Sequence, residues 1–176
     1  MSKPVRLAGL LSLIAGAVMI VAGAVVWGVV TNQLAAEKIT VPADSALLPG
    51  DDVNGPFSAY AQAEIIKKHA LAGSDGKTYA ELGSLATQAK NSGDAELAAK
   101  YTAQRATVMN ASFLRSSLFT SVLAYGVCFM AMGLGLMLAL LGWALTRIAA
   151  ALDGQPATAA SASSRGATAT TARAAV

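Results

Sequence analysis

Cysteine, histidine and charged side chains are scarce in this chain of 176 residues. It has one cysteine and one histidine, and only 13% of its residues are charged, about half the share in an ordinary soluble domain. A single cysteine excludes an intramolecular disulfide and a cysteine-based metal cage. The net charge of +3 comes from scattered residues without a basic block, which argues against a nucleic-acid partner. With 55% hydrophobic residues and a mean hydropathy of +0.52, the composition is typical of a membrane protein.

Two long apolar runs contain no charged side chain. Residues 116–146 form one of them; as a helix it would be about 46 Å long, against about 30 Å for the hydrocarbon core of a bilayer. Residues 7–30 form the other, directly after the basic residues Lys3 and Arg6. This run is longer than the apolar region of a cleaved signal peptide, and only a poor cleavage site follows it. We therefore interpret it as an uncleaved membrane anchor.

The order of these runs predicts the topology. Basic residues ahead of the first run favour a cytoplasmic N-terminus, and a second span returns the C-terminus to the same side. We expect an all-α membrane protein of the bacterial plasma membrane: a two-helix transmembrane hairpin with a small, mainly helical extracytoplasmic domain. Its predicted parts are a cytoplasmic N-terminus (1–6), transmembrane helix 1 (7–30), the extracytoplasmic domain (31–115), transmembrane helix 2 (116–146) and a cytoplasmic, mostly disordered tail (147–176).

Local signals place three helices after the first span. Pro56 suits the first turn of a helix that continues to about residue 71. Thr78 and Glu81 match a capping box for a short helix that ends near residue 90. Asp94 can cap a third helix, and no helix breaker separates residue 95 from the second apolar run. We therefore predict one long helix, amphipathic outside the membrane and apolar within it.

Glycine recurs every seven residues in both apolar runs. Such a repeat keeps small residues on one face of a helix and lets two backbones approach closely in lipid. The seam could serve the chain's own hairpin, a homo-oligomer or a larger complex. The predicted helix-packing residues are Gly9, Ser12, Gly16, Gly23, Gly126, Gly133, Gly135 and Gly142.

No arrangement of side chains in the sequence predicts catalysis, a cofactor or a metal site. His69 stands beside two lysines and is interpreted as a surface residue. Asp51, Asp52 and Asn54 lack the spacing of a calcium loop and are interpreted as turn residues. Cys128 lies in the apolar run and is interpreted as a small apolar filler. The absence of charge from both runs argues against a proton relay or an ion pathway formed by this chain alone.

Six segments carry a resemblance to a known family. They are residues 24–30 (AVVWGVV), 37–41 (EKITV), 53–56 (VNGP), 59–63 (AYAQA), 77–82 (KTYAEL) and 109–121 (MNASFLRSSLFTS). Together they resemble a family of small actinobacterial two-span membrane proteins that often carry the description aromatic ring-opening dioxygenase. That description implies a non-haem iron held by two histidines and a carboxylate. A chain with one histidine does not supply this ligand set, so the sequence does not support the description.

We therefore expect a non-enzymatic integral membrane protein that serves as an accessory or scaffold subunit of a larger membrane complex. Its expected partners are the lipid bilayer and other transmembrane helices, without nucleic acid. The alternative is a membrane sensor that transmits an event in the outer domain along the long helix to the tail. A third hypothesis is the dioxygenase activity that the family description names.

Overall fold

The computed structural model describes residues 3–153 of the chain, and their regular structure is helical. The helices, in chain order, are α1 (Lys3–Ala36), α2 (Pro56–Gly73), α3 (Tyr79–Asn91) and α4 (Ala95–Asp153). Residues 3–153 contain no strand, and one isolated antiparallel bridge joins Thr40 to Asp52. The prediction of an all-α fold is confirmed for these described residues. Residues 154–176 of the predicted tail lie outside the described residues.

Two of the helices are long and apolar enough to cross a membrane. The first, α1, extends the predicted run of residues 7–30 at both ends, and the second, α4, continues past residue 146 to Asp153. As expected from the absence of a breaker after residue 95, α4 is a single helix of 59 residues. Both helices expose most of their apolar side chains. In the apolar 18-residue segment of each helix, only 11% is buried in α1 and 17% in α4.

Short-range hydrogen bonds fix the starts of the shorter helices. The Thr78 hydroxyl accepts from the Glu81 amide at 3.4 Å, and the Glu81 carboxylate accepts from the Thr78 amide at 2.7 Å. This reciprocal pair is the predicted capping box of α3, and the bond from the Thr78 amide holds the pKa of Glu81 below its ordinary value of 4.5. The predicted cap of α4 is also present, because Asp94 accepts from the Leu97 amide at 3.0 Å.

The chain divides into two compact units, which we treat separately. The terminal unit comprises Met1–Ile20 and Gly133–Val176, and the central unit comprises Val21–Met132. In the terminal unit, the described parts of α1 and α4 run antiparallel and in contact. The central unit has a hydrophobic core of eight buried residues: Leu34, Val41, Val53, Ala59, Ala61, Ala63, Leu118 and Tyr125. This core therefore combines residues from both sides of the boundary predicted between residues 115 and 116.

Within the central unit, α2 packs antiparallel along α4. The rings of Tyr60 and Phe119 meet edge to face at 6.0 Å. Further along α2, and closer to the start of α4, Arg115 donates from Nε to the Ala63 carbonyl at 3.1 Å, and its Nη2 lies 3.5 Å from a Glu64 carboxylate oxygen. These contacts fix the position of α2 along α4, which decides where the first turn of α2 lies.

Candidate helix-packing site

In the terminal unit, the backbones of α1 and α4 approach each other closely at predicted glycines. A Cβ atom added to Gly9 would lie 2.9 Å from the Gly142 carbonyl oxygen, and one added to Gly142 would lie 2.5 Å from the Gly9 oxygen. The Gly142 atom would also lie 2.7 Å from the backbone nitrogen of Leu13. Because the obstructing atoms belong to the backbone, no side-chain rotation can relieve the clash. Each glycine of this pair is therefore required by the position of the other helix.

The same relation repeats seven residues further along α1. A Cβ atom added to Gly16 would collide with the Gly135 carbonyl oxygen and lie 2.7 Å from the Ala139 nitrogen. One added to Gly135 would lie 2.7 Å from the Gly16 oxygen and 3.0 Å from the Ile20 side chain. Ser12, between the two glycine contacts on α1, is half-buried. In lipid, where apolar burial does not drive helices together, such contacts favour association through dispersion forces.

Gly23 makes the corresponding contact in the central unit, against a more adaptable surface. An added Cβ would lie 2.6 Å from the Met132 side chain and 3.1 Å from the Cys128 carbonyl oxygen. Methionine is flexible and can shift its side chain, so this site tolerates a methyl group better than the glycine pairs do. Cys128 itself is buried, as expected for a small apolar filler.

Gly126 and Gly133 are not brought to α1. A Cβ atom added at either position would meet no other atom within 4 Å. The reason is geometric: Gly133 and Gly135 are two residues apart, which is about 200° around a helix, so only one of the two glycine rows of α4 can face α1. The structure uses the row with Gly135 and Gly142. A role for Gly126 and Gly133 in packing against another helix stays a prediction.

A buried polar cluster in the central unit was not predicted from the sequence. The Tyr125 side chain is 1% exposed, and its hydroxyl donates to the Asn54 carbonyl at 3.3 Å. Because that bond uses its only proton, Tyr125 accepts from the Thr31 hydroxyl at 2.8 Å. The Trp27 ring meets the Tyr125 ring edge to face, with centroids 4.6 Å apart. One tyrosine thus joins α1, α4 and the turn before α2.

Asp44, Lys68 and His69 form a small exposed group of charged and titratable side chains. His69 Nε2 lies 2.9 Å from Oδ2 of Asp44, and Lys68 Nζ lies 3.2 Å from the same oxygen. These hydrogen bonds, from His69 first and Lys68 second, hold the pKa of Asp44 below its ordinary value of 3.8. Since the Lys68 ammonium also donates to the Asp44 backbone carbonyl at 3.1 Å, the group ties the loop after α1 to α2.

The turn residues considered as metal ligands have other roles in this fold. Asp52 accepts from the Thr40 hydroxyl at 3.3 Å, and the Asp51 carbonyl oxygen accepts from the Val41 amide at 2.9 Å. The Asn54 carbonyl is the acceptor for Tyr125. In the part of the chain that the structure describes, no group of three or more His, Cys, Asp or Glu side chains could hold a metal ion.

A cavity of about 330 Å³ lies beside α2, α3 and α4 in the central unit. Its walls combine apolar side chains with the cations Lys67 and Arg115 and the hydroxyl of Ser112. That hydroxyl donates to the Val108 carbonyl of its own helix, so it is engaged in an ordinary helical contact.

Comparisons with protein-family models, curated proteins and solved structures return no match to this chain.

Proposed function

We propose that this chain is an integral membrane protein that crosses the membrane twice, through α1 and α4, and serves as a non-enzymatic accessory or scaffold subunit of a larger membrane complex. The observation that carries the proposal is the exposed apolar surface of both long helices. Phe129 is 72% exposed and Met130 66% exposed, and Val18 and Val21 on α1 are exposed to a similar degree. A core helix of a soluble protein buries such side chains, whereas a lipid-facing helix exposes them.

In this proposal the N- and C-termini are cytoplasmic and residues 31–115 lie outside. Lys3 and Arg6 precede the first span and favour this orientation. Alkaline phosphatase is active only after export, so a fusion after residue 94 should be active and a fusion after residue 153 should be inactive. The reverse pattern would invert the topology.

The second glycine row supports a partner helix. Gly126 and Gly133 leave the α4 backbone open on a face turned away from α1, with Phe129 and Met130 exposed nearby. Small residues beside large apolar ones provide the shape into which another transmembrane helix packs. We propose that this face binds the other members of the complex.

The experiment is gentle extraction of the tagged chain from its native membrane, followed by measurement of the mass and composition of what is extracted with it. A defined large assembly is expected for the wild type. The double variant Gly126→Leu/Gly133→Leu should lose the partner, whereas Gly28→Leu should retain it. Gly28 is the matched control, because an added Cβ there also meets no atom within 4 Å, but on α1.

Two results would overturn the proposal. Extraction of the wild type as a bare monomer would leave no complex for it to serve. Stoichiometric iron in the purified protein, together with oxygen consumption on addition of a catechol, would instead establish the dioxygenase that the family description names.

The uninterrupted course of α4 favours a second candidate, a sensor that transmits an outer event along this helix. Proline at the exposed position Ala106 would interrupt the helix at a cost of about 3 kcal/mol without removing a buried side chain. If α4 transmits a signal, Ala106→Pro should insert into the membrane normally yet fail to restore the wild-type phenotype to a deletion strain. If the chain only anchors partners, both the wild type and Ala106→Pro should restore the phenotype of the deletion strain.

A further inference from the structure

The first part of the predicted second span is covered by the central unit. Leu118 and Tyr125 are buried in the same core as Val53 and Ala59, which were assigned to the extracytoplasmic domain. Either residues 116–125 stand clear of the membrane with that domain, or part of the domain lies at the level of the lipid. The positions of side chains along α4 distinguish these arrangements.

The length of the uncharged run provides a scale. Residues 116–146 rise about 46 Å as a helix, and the hydrocarbon core is about 30 Å thick, so a centred run leaves about 8 Å at each end. That is about five residues, which places residues 116–120 in the layer of lipid headgroups. The edge of the hydrocarbon then lies near residue 121 on α4.

Two contacts bracket the start of α2 on this scale. The Asn54 carbonyl binds the Tyr125 hydroxyl, and the Tyr60 ring lies against Phe119. Phe57 is between Asn54 and Tyr60 in sequence, so from these two contacts we infer that it is level with the segment between residues 119 and 125. This segment includes the edge of the hydrocarbon.

At this level, Phe57 points away from the protein. Its side chain is 79% exposed, and Tyr60, one turn further along α2, is 43% exposed. In water, exposed aromatic side chains at the start of a helix would be unfavourable, whereas aromatic residues are enriched at membrane interfaces. Arg115, one residue outside the uncharged run, has its guanidinium 5.5 Å from the Phe119 ring centroid. Because this guanidinium also binds the Ala63 carbonyl and the Glu64 carboxylate, it holds α2 against α4 at the outer side of the aromatic side chains.

We infer that the first turn of α2, residues 56–60, is a lipid-binding foot that inserts Phe57 at the boundary between acyl chains and headgroups of the adjoining leaflet. This inference rests on the proposed membrane crossing and adds a third point of contact to the two spans. The central unit is thereby held against the bilayer surface instead of standing above it on α4.

The experiment uses the full chain in phosphatidylcholine vesicles with Cys128 replaced by alanine. An environment-sensitive fluorophore is attached at one introduced cysteine: Phe57→Cys, Met137→Cys or Tyr79→Cys. Met137 is an exposed residue of the proposed span, and Tyr79 is an exposed residue at the start of α3. Quenching is measured with lipids that carry a nitroxide near the carbonyl end or near the methyl end of the acyl chain, and with aqueous iodide.

At Phe57 we expect stronger quenching by the shallow nitroxide than by the deep one, and several-fold lower access to iodide than at Tyr79. If the fluorophore at position 57 is quenched in the same way as the one at position 79, while the one at position 137 is still quenched by lipid, the lipid-binding foot is wrong and the membrane crossing stands. Failure of lipid quenching at Met137 would overturn the crossing and the foot together. As a label-free second reading, Phe57→Trp should add tryptophan fluorescence that brominated lipids quench; unquenched added fluorescence would also overturn the foot.

Discussion

Replacing Tyr125 with phenylalanine should destabilise the central unit without opening a cavity in its core. The substitution removes one oxygen atom from a side chain that is 1% exposed, and it leaves the ring in contact with Trp27. No cavity larger than a hydroxyl group is created. The loss of stability therefore measures the contribution of the two hydrogen bonds of that hydroxyl.

Both bonds contribute to the expected magnitude. A hydrogen bond adds about 1 kcal/mol net. The Thr31 hydroxyl can rotate and donate to a carbonyl of its own helix. Asn54 is an exposed residue, so water can bind its carbonyl in place of the lost hydroxyl, and neither partner adds a penalty for an unsatisfied group. We therefore expect Tyr125→Phe to lower the free energy of unfolding by about 2 kcal/mol.

The assay is reversible unfolding in mixed micelles with increasing dodecyl sulfate, followed by tryptophan fluorescence in a Trp143→Phe background, which leaves Trp27, whose ring lies against Tyr125, as the reporter. Tyr60→Phe is the matched control, because the described residues offer its exposed hydroxyl no hydrogen-bond partner; it should change stability by less than about 0.5 kcal/mol. A double-mutant cycle with Thr31→Val should give a coupling of about 1 kcal/mol. Equal stability of Tyr125→Phe and Tyr60→Phe would refute the hydrogen-bonding scheme.

Three further predictions concern other contacts. Gly142→Ala should lower the unfolding free energy in the same assay by about 1–3 kcal/mol because its Cβ meets backbone atoms, whereas Gly133→Ala should be neutral or stabilising. The lowered pKa of Asp44 contributes stability that is present above its unfolded value near 3.8 and is lost as the pH falls through the lower folded value; thermal midpoints of wild type and Asp44→Asn should therefore differ at pH 7 and converge in acid. Thr78→Ala should cost about 1 kcal/mol through the lost cap, and Thr87→Ala, which removes only a hydroxyl bond to its own helix, should cost less in the same thermal measurement.

Local sequence signals were sufficient for the helices. The capping box at Thr78 and the cap at Asp94 are made by residues three positions apart, and the structure contains both. The continuity of α4 likewise follows from the absence of glycine–proline punctuation between residues 95 and 116. Such features depend on neighbours in the chain, so a pattern can predict them.

Contacts between distant segments could not be predicted in this way. The Thr31–Tyr125 bond joins residues 94 positions apart, and nothing in either local sequence identifies its partner. The available signal for this bond was a tyrosine within the uncharged run, since a buried hydroxyl requires a hydrogen-bond partner. The two glycine rows of α4 are a different case. Their seven-residue repeats are equivalent in sequence, and only the position of α1 selects between Gly133 and Gly135.

The glycine contacts and the Tyr125 cluster specify the helix pair in complementary ways. A seven-residue repeat of glycine permits close approach, but it does not define a unique register: sliding α1 by seven residues would bring Gly16 to Gly142 in place of Gly9. The Tyr125 hydroxyl does not tolerate this shift, because its bond to Thr31 of α1 exists in one register only. The shape of the glycine surface therefore favours pairing of the helices, and a single buried polar group selects the alignment. On this reasoning, Tyr125→Phe should broaden the set of α1–α4 alignments, measurable as additional disulfide-crosslinked pairs between introduced cysteines, whereas Gly142→Ala should weaken the pairing without adding alignments.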